Sequence, residues 1–263
     1  MRDDPVALRS ERMCRFFRKV MHRQMARGFR AVRVLKPGPP GLPDGVPLIV
    51  YSNHPGWWDP VFCIVLQTAF FPDRQAYAPM EAAALERYRF MKRIGIFGVE
   101  SDSRAGAARF LRMGEHVLSD PRRTIWMTAQ GRFADPRERP AGLRPGLAHL
   151  LTRLDGAMAL PLALEYPFWT EKRPEALCAF GPPVRAAGDA RAVHRELETA
   201  LEKTQDGLAA ATIARDPDAF RKIMGGRRGI GGVYGIWSRA RALAAGRRYQ
   251  PDHMADGRDD LSN

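Results

Sequence analysis

A chain of 263 residues, 45% of them hydrophobic, is long enough to bury one large core and too short for two full-sized domains; its composition is globular rather than disordered. Forty-two Lys and Arg against 29 Asp and Glu leave a net charge of +13 and a pI near 10.4, which implies attraction to a polyanion such as nucleic acid or anionic lipid. The sequence has no zinc-finger spacing, RNP-like motif or heptad-bearing basic region, so nucleic acid has only charge in its favour and is not expected as a partner.

Residues 9–30 carry the clearest helical period. Met13, Phe16, Phe17, Val20, Met21, Met25 and Phe29 recur at spacings of three and four, with Arg and Lys filling the rest. An apolar stripe on a basic helix is the composition of an interfacial membrane helix, and that reading is preferred here to a packed helix with a solvated basic face. Residues 31–35 read as a short strand, and the Pro- and Gly-rich residues 36–45 as a rigid connector. Residues 1–36 are therefore set apart as an N-terminal helix and strand, ahead of an α/β domain over 37–224.

Within that domain, residues 46–51 form an apolar run that stops at Asn53-His54-Pro55-Gly56, which reads as a strand ending in a tight turn. Residues 59–70 suit a helix, 75–79 a strand, 81–93 a helix ending at Gly95, and 96–99 a strand. An amphipathic stretch over 106–118 separates this last strand from another at 124–128. A polar loop over 130–140 follows, then a helix at 143–154, strands at 157–166 and 177–180, and a long helix at 190–214. This alternation predicts one α/β domain, a central mixed sheet flanked by helices.

The glycine- and arginine-rich residues 225–232 are no phosphate loop: G-x-x-x-x-G-K-[ST] is absent and no strand is expected before them. They open a basic C-terminal segment, 225–263, in which Tyr234, Trp237, Arg247 and Tyr249 suit a lipid headgroup zone. Cys14, Cys63 and Cys178 are too widely spaced for a disulfide scaffold, which points to a reducing compartment. The six histidines show no zinc spacing, so neither a metal nor a cofactor is expected. No window holds 18 uninterrupted apolar residues, and the basic N-terminus lacks the apolar core of a signal peptide. Cytoplasmic residence, peripheral on the inner face of the cell membrane, is the expectation.

His54 lies at the carboxyl end of a strand, where open α/β sheets place their ligand crevices. Its imidazole can accept and return a proton near neutral pH, and Asp59, five residues on, can fix its tautomer. Residue chemistry alone leaves two readings open, a general base with its partner or a turn histidine beside a helix-start charge.

Asn53-His54 with Asp59 resembles the Asn-His-x-x-x-x-Asp motif of the glycerolipid acyltransferase family, the group that includes the lysophosphatidate acyltransferases. Three more stretches follow in that family's order: Gly95-Ile96-Phe97-Gly98-Val99-Glu100-Ser101, Trp126-Met127-Thr128-Ala129-Gln130-Gly131-Arg132-Phe133, and Ala159-Leu160-Pro161-Leu162-Ala163-Leu164. The resemblance covers residues 46–165. It implies that His54 is the general base, that Asp59 orients it, and that a fatty acyl group passes from acyl-CoA or acyl-carrier protein to a lipid hydroxyl. The implied acceptor is a lysophospholipid such as 1-acyl-glycerol 3-phosphate, with a glycolipid, terpenoid or amino-acid lipid as the alternative acceptor and a silent membrane-binding protein as the alternative to an enzyme. Trp57, Trp58, Gln130, Gly131, Arg132 and Arg104 are the candidates for substrate binding. Two departures bear on the acceptor: Ser101 stands where the family has a basic residue, and Gln130 where it has a glutamate.

Overall fold

The computed structural model describes residues 4–100 and 103–226. In chain order the elements are α1 (Pro5–Leu8), α2 (Glu11–Gly28), β1 (Ala31–Leu35), β2 (Leu48–Ser52), α3 (Asp59–Phe70), β3 (Gln75–Glu81), α4 (Ala82–Arg87) and, after a 3-10 turn at Arg89–Ile94, β4 (Ile96–Val99). The remainder are α5 (Arg104–Leu118), β5 (Arg123–Thr128), α6 (Gly146–Leu151), β6 (Met158–Glu165), β7 (Ala176–Phe180), β8 (Val184–Arg185), α7 (Ala190–Ala214) and β9 (Phe220–Gly225). The described strands form one mixed sheet in the order β4-β3-β5-β2-β6-β7-β1-β9, with β8 paired to β6. From β4 to β6 every pairing is parallel; β7 then runs antiparallel to β6, β1 parallel to β7, and β9 antiparallel to β1.

β2 shows why the chain folds around this sheet. All five of its residues are buried, the pattern of a strand covered on both faces. Ile49 and Tyr51 enter one cluster with Phe110 and Val117 of α5, Leu147 of α6 and Leu197 of α7. Leu48 and Val50 point the other way, into a cluster with Met25 of α2 and Val61, Phe62 and Leu66 of α3. The strand's alternation thus sorts the helices into two layers.

Three segments differ from the sequence expectation. The helix expected over 81–93 is broken at Tyr88 into α4 and a 3-10 turn; Leu85 is the one buried side chain of the two pieces, so no apolar stripe holds them on a common axis. β9 was not anticipated, and it carries the sheet as far as Gly225 by pairing with β1. β1 itself, assigned with residues 1–36, lies within the sheet between β7 and β9, while α2 packs on α3. The features expected at Ser101 and over 227–263 lie outside the described residues.

Candidate active site

The sheet delivers His54 through an amide that imitates a peptide. After β2 ends at Ser52, the Asn53 side chain donates to Leu164 O at 3.0 Å and accepts from Leu164 N at 2.9 Å. This adds a side-chain rung to the β2–β6 ladder and fixes where the chain leaves the sheet. His54 is then gripped by its backbone. Its N–H donates to Gln130 Oε1 at 2.9 Å, and its carbonyl accepts from Ala134 N at 3.0 Å.

Pro55 and Gly56 turn the chain so that α3 starts at Asp59, whose carboxylate folds back onto the turn. His54 Nδ1 and Asp59 Oδ2 are 2.5 Å apart, and Gly56 N donates to the same oxygen at 3.1 Å. The other oxygen, Oδ1, accepts from the Tyr166 hydroxyl at 2.6 Å. Asp59 is 0% exposed. A buried carboxylate is costly unless hydrogen-bonded, and here three donors and the N-terminus of α3 answer that cost. Burial, with Asp59 alongside, pushes the Tyr166 phenol well above its ordinary range, so it stays protonated as a donor. With Asp59 accepting from Nδ1–H, Nε2 is left carrying the lone pair of neutral His54.

One aromatic ring packs on the imidazole. The Phe133 ring lies 4.3 Å from that of His54, and Phe133 is itself 60% exposed. Trp57, three residues after His54, is 66% exposed, and Phe168 lies exposed in the loop leaving β6 at the same edge of the sheet. Trp58 serves a different end: it packs edge-on against Phe29 at 5.0 Å and lies over Gly28, where an added Cβ would come within 2.9 Å of its ring. The tryptophan pair thus divides into one exposed ring and one packed ring.

The remaining candidates are placed as follows. Gln130 is 4% exposed, and its Nε2 donates to Ala141 O at 2.6 Å, so both ends of the amide are held by backbone. Gly131 sits at φ +65, where a Cβ would meet Arg144, so it is a turn residue. Arg132 forms a two-pronged pair with Glu138, Arg137 another with Asp135, and Arg139 reaches Asp206 at 2.5 Å. Arg104 is exposed at the first position of α5. It follows β4, three strand spacings from β2 or about 14 Å along that edge.

Sequence reasoning missed Tyr166 and passed over Glu165. Glu165 ends β6, the parallel neighbour of β2, and Tyr166 follows it, so a search for polar groups at adjacent strand ends would have found them. Among the described residues no group of three or more His, Cys, Asp or Glu is gathered to hold a metal ion, and no helix is long and apolar enough to cross a membrane. A comparison with protein-family models gives no match, and neither does one with curated proteins.

Proposed function

We propose that the chain is an O-acyltransferase that moves a fatty acyl group from acyl-CoA or acyl-carrier protein to the hydroxyl of a lipid, with 1-acyl-glycerol 3-phosphate as the reference acceptor. The observation that carries this reading is the hydrogen bond between His54 Nδ1 and the fully buried Asp59 at a strand's carboxyl end, which leaves Nε2 to act as base.

In the proposed step Nε2 takes the acceptor's hydroxyl proton as its oxygen attacks the thioester carbonyl. The tetrahedral intermediate collapses with loss of the thiolate, which receives that proton from His54 and leaves as the thiol. Atoms and charge balance without an acyl-enzyme. Ser52, buried at the end of β2, is not needed as a nucleophile. Asp59 stabilises the imidazolium that forms midway, and Tyr166 holds Asp59 in place.

A second reading changes only the acceptor, to an uncharged hydroxyl of a glycolipid, terpenoid or amino-acid lipid. It is favoured by the pairing of Arg132, Arg137 and Arg139 with carboxylates, which lowers the loop's attraction for a phosphate dianion. Either acceptor is met at a membrane. The exposed residues Arg12, Phe16, Lys19, Arg23 and Arg27 repeat along one face of α2 and suit an anionic lipid surface.

Thioester turnover by the purified full chain is the test, with lysophosphatidic acid and neutral hydroxyl lipids as parallel acceptors. Turnover lost in His54→Ala is expected. No acyl transfer to any acceptor would leave a membrane-binding protein without catalysis.

A further inference from the structure

We propose that Gln130 is a positioning residue for His54, and that its place requires a neutral amide where a carboxylate would fail. The amide is the middle link in a chain of hydrogen bonds. His54 N–H donates to Gln130 Oε1 at 2.9 Å, and Gln130 Nε2 donates to Ala141 O at 2.6 Å. Ala141, fully buried, donates its own N–H to Glu202 Oε1 of α7 at 2.8 Å, and the next residue, Gly142, donates to Glu198 Oε1 at 2.8 Å. The backbone of His54 is thereby tied through one side chain to a turn that α7 holds from behind.

Gln130 must therefore accept at one end and donate at the other at the same time. An amide does both, whereas an ionised carboxylate only accepts. With glutamate here, a carboxylate oxygen would face the Ala141 carbonyl at about the present 2.6 Å, two acceptors with no proton between them in a buried site. A protonated carboxyl has the shape of the amide and restores the donor. Gln130→Glu is thus an acid-dependent mimic of the native residue. Both ends of the side chain are engaged by backbone and the residue is buried, so its proposed effect on any reaction runs through His54.

The positioning stands on hydrogen bonds; its effect on rate rests on the acyl-transfer reading. The experiment uses the full chain as wild type, Gln130→Glu and Gln130→Met, and follows the His54 imidazole by nitrogen-15 NMR between pH 5 and 8.5, with thermal unfolding alongside. Gln130→Glu should match wild type in His54 signal and melting temperature at pH 5 and diverge from both as pH rises. Gln130→Met, which cannot bond His54 N–H but brings no charge, should be displaced by the same amount at every pH. With a thioester substrate, kcat of Gln130→Glu relative to wild type should fall at least ~10-fold between pH 5.5 and 8, with KM little changed.

A His54 signal that is unmoved in both variants, or a Gln130→Glu offset independent of pH, overturns the proposal. If Gln130→Glu does not fold, an unmoved signal in Gln130→Met overturns it alone. Absence of turnover in the wild type would sink the acyl-transfer reading and leave the NMR outcome to decide this one.

Discussion

The Tyr166 hydroxyl donates to Asp59 Oδ1 at 2.6 Å across a sequence separation of 107 residues. That contact leaves Asp59 Oδ2 free for His54 and Gly56. Removing it in Tyr166→Phe takes one of three donors from a buried carboxylate. Hydrogen bonds to charged groups are worth about 1.5–3 kcal/mol, so turnover should fall between about 4-fold and about 150-fold if between half and all of that is felt in the transition state. Steady-state kinetics on Tyr166→Phe, with kcat and KM separated, check it. An unchanged kcat would make Tyr166 a packing residue.

His54→Ala and Asp59→Asn should each lower acyl transfer by roughly a hundredfold or more while leaving the fold intact. In Asp59→Asn the remaining carbonyl oxygen can still accept from His54 Nδ1, but no negative charge stabilises the imidazolium. The loss should therefore appear in kcat, and circular dichroism should overlay the wild type. A well-folded His54→Ala protein with wild-type turnover would end the proposed mechanism.

β2 and the turn after it were legible because their physics is local. A buried strand reads as an apolar run, and a five-residue interval through Pro55 and Gly56 lets Asp59 reach His54. The helices with strong periods, α2, α5 and α7, were legible for the same reason. Tyr166, β9 and the bridging role of Gln130 were not, since what gives each its place is a partner far along the chain: Asp59, β1 and His54. The pairing of Arg132 with Glu138 was not legible either, because an arginine in a loop looks unpaired until its neighbours are known. The pair Phe16–Phe17 shows the same limit: both were read into one apolar stripe, yet Phe16 is exposed and Phe17 stacks on Phe90.

Glu165 closes β6 half-buried, and burial raises its carboxyl above the ordinary value despite the opposing pull of Thr212, Arg137 and Arg139. Over the interval from the usual glutamate range up to that raised value, the unfolded chain has already ionised here while the folded chain keeps its proton. The folded state then binds more protons than the unfolded one, so this residue lowers stability as pH rises. Glu165→Gln should therefore raise the melting temperature near pH 7 and change it little near pH 4. Melting curves at both values decide it, and a loss at pH 7 would mean that the ionised carboxylate is favourably paired.

The last prediction separates the two phenylalanines of α2. Phe17 stacks on Phe90 at 5.4 Å, whereas Phe16 is 59% exposed on the face that carries Arg12, Lys19, Arg23 and Arg27. A basic residue held near an anionic bilayer contributes on the order of 1 kcal/mol, and inserting a large apolar side chain about 1.5–3 kcal/mol. Phe16→Ser should then weaken binding to phosphatidylglycerol-containing vesicles by about tenfold or more at moderate salt, without lowering the melting temperature. Phe17→Ser should lower the melting temperature, because it strips a ring from packing against Phe90. Replacing Arg12 and Arg23 with Ser should remove much of the salt dependence. Vesicle co-sedimentation of the four full-length proteins in low and high salt, with thermal melts of each, reads all three effects. If Phe16→Ser binds as tightly as wild type at every salt concentration, α2 is not the inserted element, and the basic aromatic stretch over 233–249 is the segment to replace next.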